Sequence, residues 1–414
     1  MDLRWSIAGM LLLSGCGGGA ALSLGEDPFD TGGSTATTGE TDSETNPVED
    51  DSGVEEVPGV GDRSVEIYDQ NVVIEFGITL SSEAMQSLRV DPYSWVEGSF
   101  TYDGRTWERI GVRLKGENSF LPIDEKPSLK IKFDKYVDNL EFHGLTELTL
   151  NNMSGDYSMM HERLAYLIYR EAGVPAARSN HAWVTLNGEA YGLYANVETV
   201  DQAMITRWFE QTEGPLFEVW DVDFYDHYVE HFELEYGEDD RHNIQGLADA
   251  LEGRGEAALA EAADHLDWAG FVNYWAVGMY VAQFDSYPYS NPGDDCHIYT
   301  DPATDTLHFI PHGVDETFYY PTSSVAWSTG IVGARCLDST SCVSSLKQRV
   351  REVIDIADEL DVVERFDEIQ KQIKSYVSAD RHRPYGLDYV NYYQDVMRQM
   401  LVDREAELTR QLGL

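Results

Sequence analysis

The chain has 414 residues, with 74 Asp and Glu against 29 Lys and Arg, for a formal net charge of -45. Such an excess of negative charge disfavours nucleic acid and anionic membrane surfaces as partners and favours a basic protein. Beyond residues 1–16 no run is long and apolar enough to span a membrane, and 24 Tyr, 15 Phe and 9 Trp supply cores for a body longer than one small domain.

The first segment sets the expected compartment. Residues 1–16 carry Arg4, an apolar run at 7–13, and Leu13-Ser14-Gly15-Cys16, the pattern at which a bacterial lipoprotein signal is cleaved and its Cys lipidated. An ordinary secretory signal or an internal start is the alternative. Gly17 rather than Asp follows Cys16, so retention at an inner membrane is not signalled. The expected location is therefore the cell envelope, with a lipid anchor in an outer membrane. Residues 17–62 contain Gly, Ser, Thr, Glu and Asp, no Lys or Arg, and few large apolar side chains. They cannot bury enough surface to offset chain entropy, which predicts a disordered acidic tether.

Residues 63–200 read as a β-rich lobe. Strands are predicted at 72–80, 96–102, 107–115, 128–133 and 145–150, with Asp103-Gly104 as a hairpin turn. A helix over 158–172, apolar at Met160, Leu164, Leu167 and Ile168, stops at Gly173 and Pro175. Two more strands, 182–186 and 191–197, flank an Asn187-Gly188 turn. Five strands, a helix and a hairpin outline a kinase small lobe, in which a strand Lys binds phosphates and a helix Glu orients it. Glu162 lies off the apolar stripe and is the helix candidate. The Lys is left open between Lys115, Lys130 and Lys132. Lys130 and Lys132 share a strand face, and Arg113 and Lys115 share another that opens into the turn at 116–119.

Residues 201–414 read as a mostly helical lobe. The acidic, aromatic segment 219–240 lacks the spacing of an EF-hand and reads as a solvated loop-and-strand rim. A helix over 267–284 is apolar nearly all round, yet Asn273, Gln283 and its length argue against a membrane span, so it belongs inside the lobe. Asp285 and Asn291 follow it, then strands at 296–300 and 306–311, then Asp315. That order is how a protein-kinase-like fold delivers a base and two metal ligands. Asp285 takes the role of base. Asn291 and Asp315 become ligands for Mg²⁺ or Mn²⁺, with Asp294 and Asp295 close enough in sequence to substitute for Asn291. The short Cys336–Cys342 loop suits a disulfide that would leave Cys296 as a free thiol, although other pairings remain open. No CxxC or closely spaced His pair accompanies these cysteines, so no zinc site is expected. Residues 344–414 read as helices with apolar stripes at Val350, Val353, Ile354 and Leu360, packing on the lobe without chemistry of their own.

Several motifs occur together in a recognisable order: VRLKGENSF at 112–120, KPSLKIKFDKY at 126–136, LTLNNMSGD at 148–156, the block at 161–201, and the segment around Asp285 and Asp315. In these, the chain resembles the CotH-type (spore coat protein H) kinase family from about residue 98 to about 318 and on toward the C-terminus. The resemblance implies an α+β, atypical two-lobed protein-kinase-like fold that binds ATP and a divalent metal and phosphorylates Ser or Thr of proteins. It makes Lys115 the first choice for the phosphate-binding Lys and Lys130 the second. One departure stands out. Many members carry Trp-Asp-x-Asp where this chain has His312-Gly313-Val314-Asp315, with His312 read as a packed residue or a partner to a ligand. An exported kinase is the expected function. The alternatives are a catalytically silent surface or coat binding protein on the same fold, and transfer of another nucleotide-borne group.

Overall fold

Residues 63–290, 292–319 and 326–414 are described by the computed structural model. The readings that concern residues 1–62, Cys16 among them, and Asn291 fall outside the described residues.

The first half of the described chain alternates strands and short helices: β1 (Ile74–Leu80), α1 (Ser82–Val90), β2 (Val96–Tyr102), β3 (Arg105–Lys115), β4 (Ser128–Lys132), β5 (Glu147–Asn151), α2 (His161–Glu171), β6 (Ser179–Leu186) and β7 (Glu189–Val197). All seven strands join a closed barrel in the order β1-β2-β3-β4-β5-β7-β6. The ring closes because β6 lies parallel to β1, pairing Ile74 with Ala182 through Ile78 with Leu186. The predicted hairpin thus completes the barrel rather than flanking five strands. Closure leaves no open edge, and period-two patterning fills the interior. Ile74, Phe76, Ile78 and Leu80 all point inward from β1. Phe100, Phe133 and Phe142 meet at the centre, with Phe133 and Phe142 stacked at 5.0 Å.

Two local features differ from the sequence reading. Helix α1, which was not anticipated, is started by Ser81, whose hydroxyl accepts from the Ala84 N–H. Helix α2 begins at His161 instead of 158, because Asp156 collects the N–H and hydroxyl of Ser158 and the N–H of His161 in a turn that precedes it.

A second core gathers the outer face of β7, α2 and the rest of the chain. After α3 (Gln202–Trp208) come β8 (Leu216–Val219), β9 (Glu233–Tyr236), α4 (His242–Leu251), α5 (Gly255–Ala262), α6 (Trp268–Val281), β10 (Cys296–Asp301) and β11 (Thr306–Pro311). The predicted β10–β11 hairpin is part of a larger unit, a four-stranded sheet in the order β11-β10-β8-β9. Strands β8 and β9 border and lie within the acidic, aromatic segment whose charges obscured them. Helix α6 has ten buried residues around its circumference, in keeping with its apolar sequence. The chain ends in α7 (Ile331–Leu337), α8 (Thr340–Glu359), α9 (Val362–Ala379) and α10 (Leu387–Leu412). Cys336 and Cys342 form a disulfide with Cα atoms 5.2 Å apart, and Cys296 is a buried free thiol in β10. Among the described residues, no helix is long and apolar enough to cross a membrane.

Candidate active site

One cleft, of about 890 Å³, brings together the barrel wall, helix α2 and the four-stranded sheet; Lys115, Lys130, Glu162, Asp295 and Asp315 line it. Pairing of β3 with β4 sets Lys115 opposite Ser128 and Arg113 opposite Lys130, so both lysines reach the cleft from neighbouring strands.

The two lysines differ in their partners. Lys130 Nζ donates to Glu147 Oε2 at 3.3 Å, and Lys132 Nζ donates to Oε1 of the same carboxylate at 2.9 Å. Lys115 Nζ instead donates to Asn151 Oδ1 at 3.1 Å, and Asn151 Nδ2 donates to Glu162 Oε1 at 2.6 Å. A neutral amide thus stands between the strand Lys and the helix Glu. The other oxygen of Glu162, Oε2, is buried with no hydrogen-bond partner among the described residues. Burial, with Asp315 adding to it, pushes the Glu162 carboxyl well above its usual range despite the opposing pull of Asn151 and Lys115. Lys115 is lowered by burial first and Lys130 second, against the pull of Glu162, Asp315 and Glu218.

Asp315 is held from behind by the start of α2. His161 Nδ1 donates to its carbonyl oxygen at 2.8 Å, and its carboxylate lies so close over Gly155 that a Cβ there would collide with it. Burial and then Asp156 raise its pKa, while Lys115 and His161 oppose the rise. Asp295 precedes β10 with φ of +51° and accepts from the His312 N–H at 3.1 Å. Its carboxylate fills the space a side chain at Gly313 would need, and Gly313 itself has φ of +55°. Asp295 is raised by burial, then by Asp294, Asp315 and Asp285, so carboxylates converge here without enough compensating charge.

Asp285 is less central than its place in the sequence suggested. It is exposed in the turn after α6 and does not line the cleft, although it is near enough to raise Asp294, Asp295 and Glu316. The residues that sequence reasoning did not single out are Asn151, Glu218 and His297. Asn151 ends β5 inside the LTLNN motif, but nothing local reveals that it connects two distant residues.

The family model described as CotH kinase protein matches residues 112–404 of the 414. The chain belongs to the CotH kinase family. Among curated relatives, it is 35% identical over 74 residues to the inner spore coat protein H-like protein of Bacillus subtilis (strain 168), covering 18% of this chain and 22% of that protein. It is also 21% identical over 330 residues to the inner spore coat protein H of the same organism, covering 74% of this chain and 89% of the relative. Among solved structures, the Helicobacter pylori proinflammatory kinase CtkA is similar at 10% identity and a TM-score of 0.34, covering 73% of this chain and 96% of that one. An overlap that loose does not assign a fold. At Gly313, the space a side chain would need is taken by the carboxylate of Asp295.

Proposed function

We propose that this CotH-family chain is an exported, lipid-anchored protein kinase that transfers the γ-phosphoryl group of ATP to Ser or Thr hydroxyls of a protein. The observation that carries the proposal is the Lys115–Asn151–Glu162 chain lining one cleft with Asp315. In this reading residues 63–200 and 201–414 are the two lobes of a kinase-like fold. Lys115 serves the α and β phosphates, Lys130 adds positive charge beside it, and Glu162 orients Lys115 through Asn151.

The donor set fits a hard divalent cation, because Asp315 and Asp295 offer carboxylate oxygens, and the missing Cβ atoms of Gly155 and Gly313 leave the room those carboxylates occupy. Asp315 and Asp295 are the ligands this reading names, with Asn291 as a further one. Mg²⁺ or Mn²⁺ bound there neutralises phosphate charge. Asp285 accepts the proton of the incoming hydroxyl or holds that hydroxyl in line, and its exposure suits contact with a protein substrate. The net charge of -45 favours a basic substrate. Lipidation at Cys16 places the enzyme in the envelope, and the Cys336–Cys342 disulfide agrees with an oxidising space.

A second reading, a silent binding protein on the same fold, draws on the exposed position of Asp285 outside the cleft lining and on Gly313. Detergent-purified full-length protein incubated with γ-labelled ATP and Mg²⁺ or Mn²⁺ decides between the two. Label on protein that is lost in Lys115→Ala and Asp315→Ala, with an intact mass matching phosphoryl rather than nucleotidyl addition, supports the kinase. No label and no ATP-dependent thermal shift leaves the binding protein. Label that persists in Asp285→Ala removes that residue from the mechanism.

A further inference from the structure

The floor of the cleft holds a second group of ligand-type side chains that phosphoryl transfer does not use. Glu218 on β8, His297 on β10 and His312 just after β11 each offer one ligand atom, and these atoms all lie within 4.8 Å of one another. The sheet sets their positions, since His297 is the direct cross-strand partner of Glu218. His312 is fixed at both backbone ends: its N–H donates to the Asp295 carbonyl at 3.1 Å, and its carbonyl accepts from Gln283 Nε2 at 2.8 Å. Gln283 is in turn held by the Tyr169 hydroxyl at 2.6 Å. The two imidazole rings are 4.8 Å apart between centroids, and His312 Nδ1 stands 4.0 Å from Glu218 Oε1.

One observation points to a ligand. His297 is only 5% exposed, and its Nδ1 has no hydrogen-bond partner among the described residues. A buried ring nitrogen left unpaired is costly unless something binds it. We infer that Glu218, His297 and His312 form a transition-metal site, selective for Zn²⁺ over Mg²⁺, on the floor of the cleft. Two imidazoles and a carboxylate are a donor set that zinc accepts and magnesium does not favour. Tetrahedral zinc with bonds of about 2.0–2.1 Å sets its ligand atoms about 3.3 Å apart, so from separations of at most 4.8 Å each ligand atom need move less than about 1 Å toward a common centre. Three protein ligands leave the fourth position for water or an anionic group entering the cleft. The surrounding charges act in both directions. Lys115 and Lys130 oppose a cation here, while Glu233 and Glu235 on the adjacent β9 favour one. Spacing along the chain does not reveal the site, because Glu218, His297 and His312 come together from β8, β10 and the position just after β11.

The proposal is independent of kinase activity and is tested on chelator-stripped, full-length protein in excess Mg²⁺. Titration with Co²⁺ as a spectroscopic probe is expected to give visible ligand-field absorption saturating at one equivalent and bleached by Zn²⁺. His312→Ala and Glu218→Gln are each expected to weaken binding at least about 100-fold, beyond the loss from removing a residue that merely supports a ligand. Asp315→Asn is expected to leave it intact, and circular dichroism checks that each variant is folded, so a variant that fails to fold defers to the other. Absorption no stronger than that of the free ion, or unchanged affinity in a folded His312→Ala or Glu218→Gln variant, overturns the inference. Loss of binding in Asp315→Asn also overturns it, since the metal would then belong to the carboxylates.

Discussion

Two lysine centres in this chain show opposite electrostatic arrangements. At the first, Lys126 and Asp380 pair at 2.8 Å with side chains 1% and 0% exposed, joining the loop before β4 to the end of α9. Asp380 Oδ2 also accepts from the Leu193 N–H at 3.0 Å, and Oδ1 accepts from the His382 N–H at 2.8 Å, so both carboxylate oxygens are satisfied. At the second, Lys115 reaches Glu162 only through Asn151, and one Glu162 oxygen has no hydrogen-bond partner among the described residues. A closed centre of the first kind holds a fold together. An open one keeps its charges available to something that arrives later, at a cost in stability while it waits.

The largest expected effect breaks that comparison on its structural side. Removing one partner of a fully buried pair leaves the other charged without compensation, so Asp380→Ala or Lys126→Ala should lower unfolding free energy by about 3–5 kcal/mol. Lys115→Ala, with a partly buried side chain whose hydrogen-bond partner is a neutral amide, should cost less, about 1 kcal/mol. Urea denaturation of the three variants measures both. A Lys115→Ala loss as large as that of Asp380→Ala would mean that the cleft lysine is structural and would remove the main support for a phosphate-binding role.

The next effect concerns how the cleft accommodates its carboxylates. Gly313 has a positive φ, and a Cβ there would collide with the Asp295 carboxylate. Gly313→Ala should therefore cost about 1–3 kcal/mol from backbone strain and overpacking together. Adding Asp295→Ala should recover the collision part and leave the backbone part, so the pair should be non-additive in a double-mutant cycle. Strict additivity would show that Asp295 does not occupy the space above Gly313.

What could be read in the sequence follows the range over which each signal acts. Strands β2 and β11 match the predicted segments 96–102 and 306–311 closely, at Val96–Tyr102 and Thr306–Pro311, because alternation and turn residues are local. Closure of the barrel was not legible, since β1 and β6 are parallel strands separated by about a hundred residues. Glu162 was found from its place off an apolar stripe, whereas Asn151 was not, because a bridge between two distant side chains leaves no periodic trace. Lys126 stood inside a family motif with no role assigned, and nothing near Asp380 marks it as the partner. In the cleft, Asp315 could be placed by motif order. The exposure of Asp285 depends on how the chain leaves α6, where Ala282 adopts a left-handed conformation with φ of +58° that composition does not announce.

The smallest effect sharpens the same contrast through pH. Asp201 lines the cleft and caps α3, its carboxylate accepting from the Ala203 and Met204 N–H groups at 2.9 and 3.2 Å. Burial, with Glu198 and Glu147 adding to it, raises its pKa from 3.8 to about 6. Between these values the unfolded chain has released the proton while the folded protein retains it. Its contribution to stability is therefore complete below about pH 4 and is lost as pH rises through about 6. Asp201→Asn preserves the shape and remains a good N-cap, so it isolates the charge. The variant should show a shallower decline in unfolding free energy between about pH 4 and 6 than the parent, measured by urea denaturation across that range. The same substitution should leave the Lys126–Asp380 clamp untouched, because that carboxylate is already fully bonded. An unchanged slope would mean that the cleft wall carries no excess negative charge at this position, and that the openness of the second lysine centre ends at Glu162 and the carboxylates around Asp295.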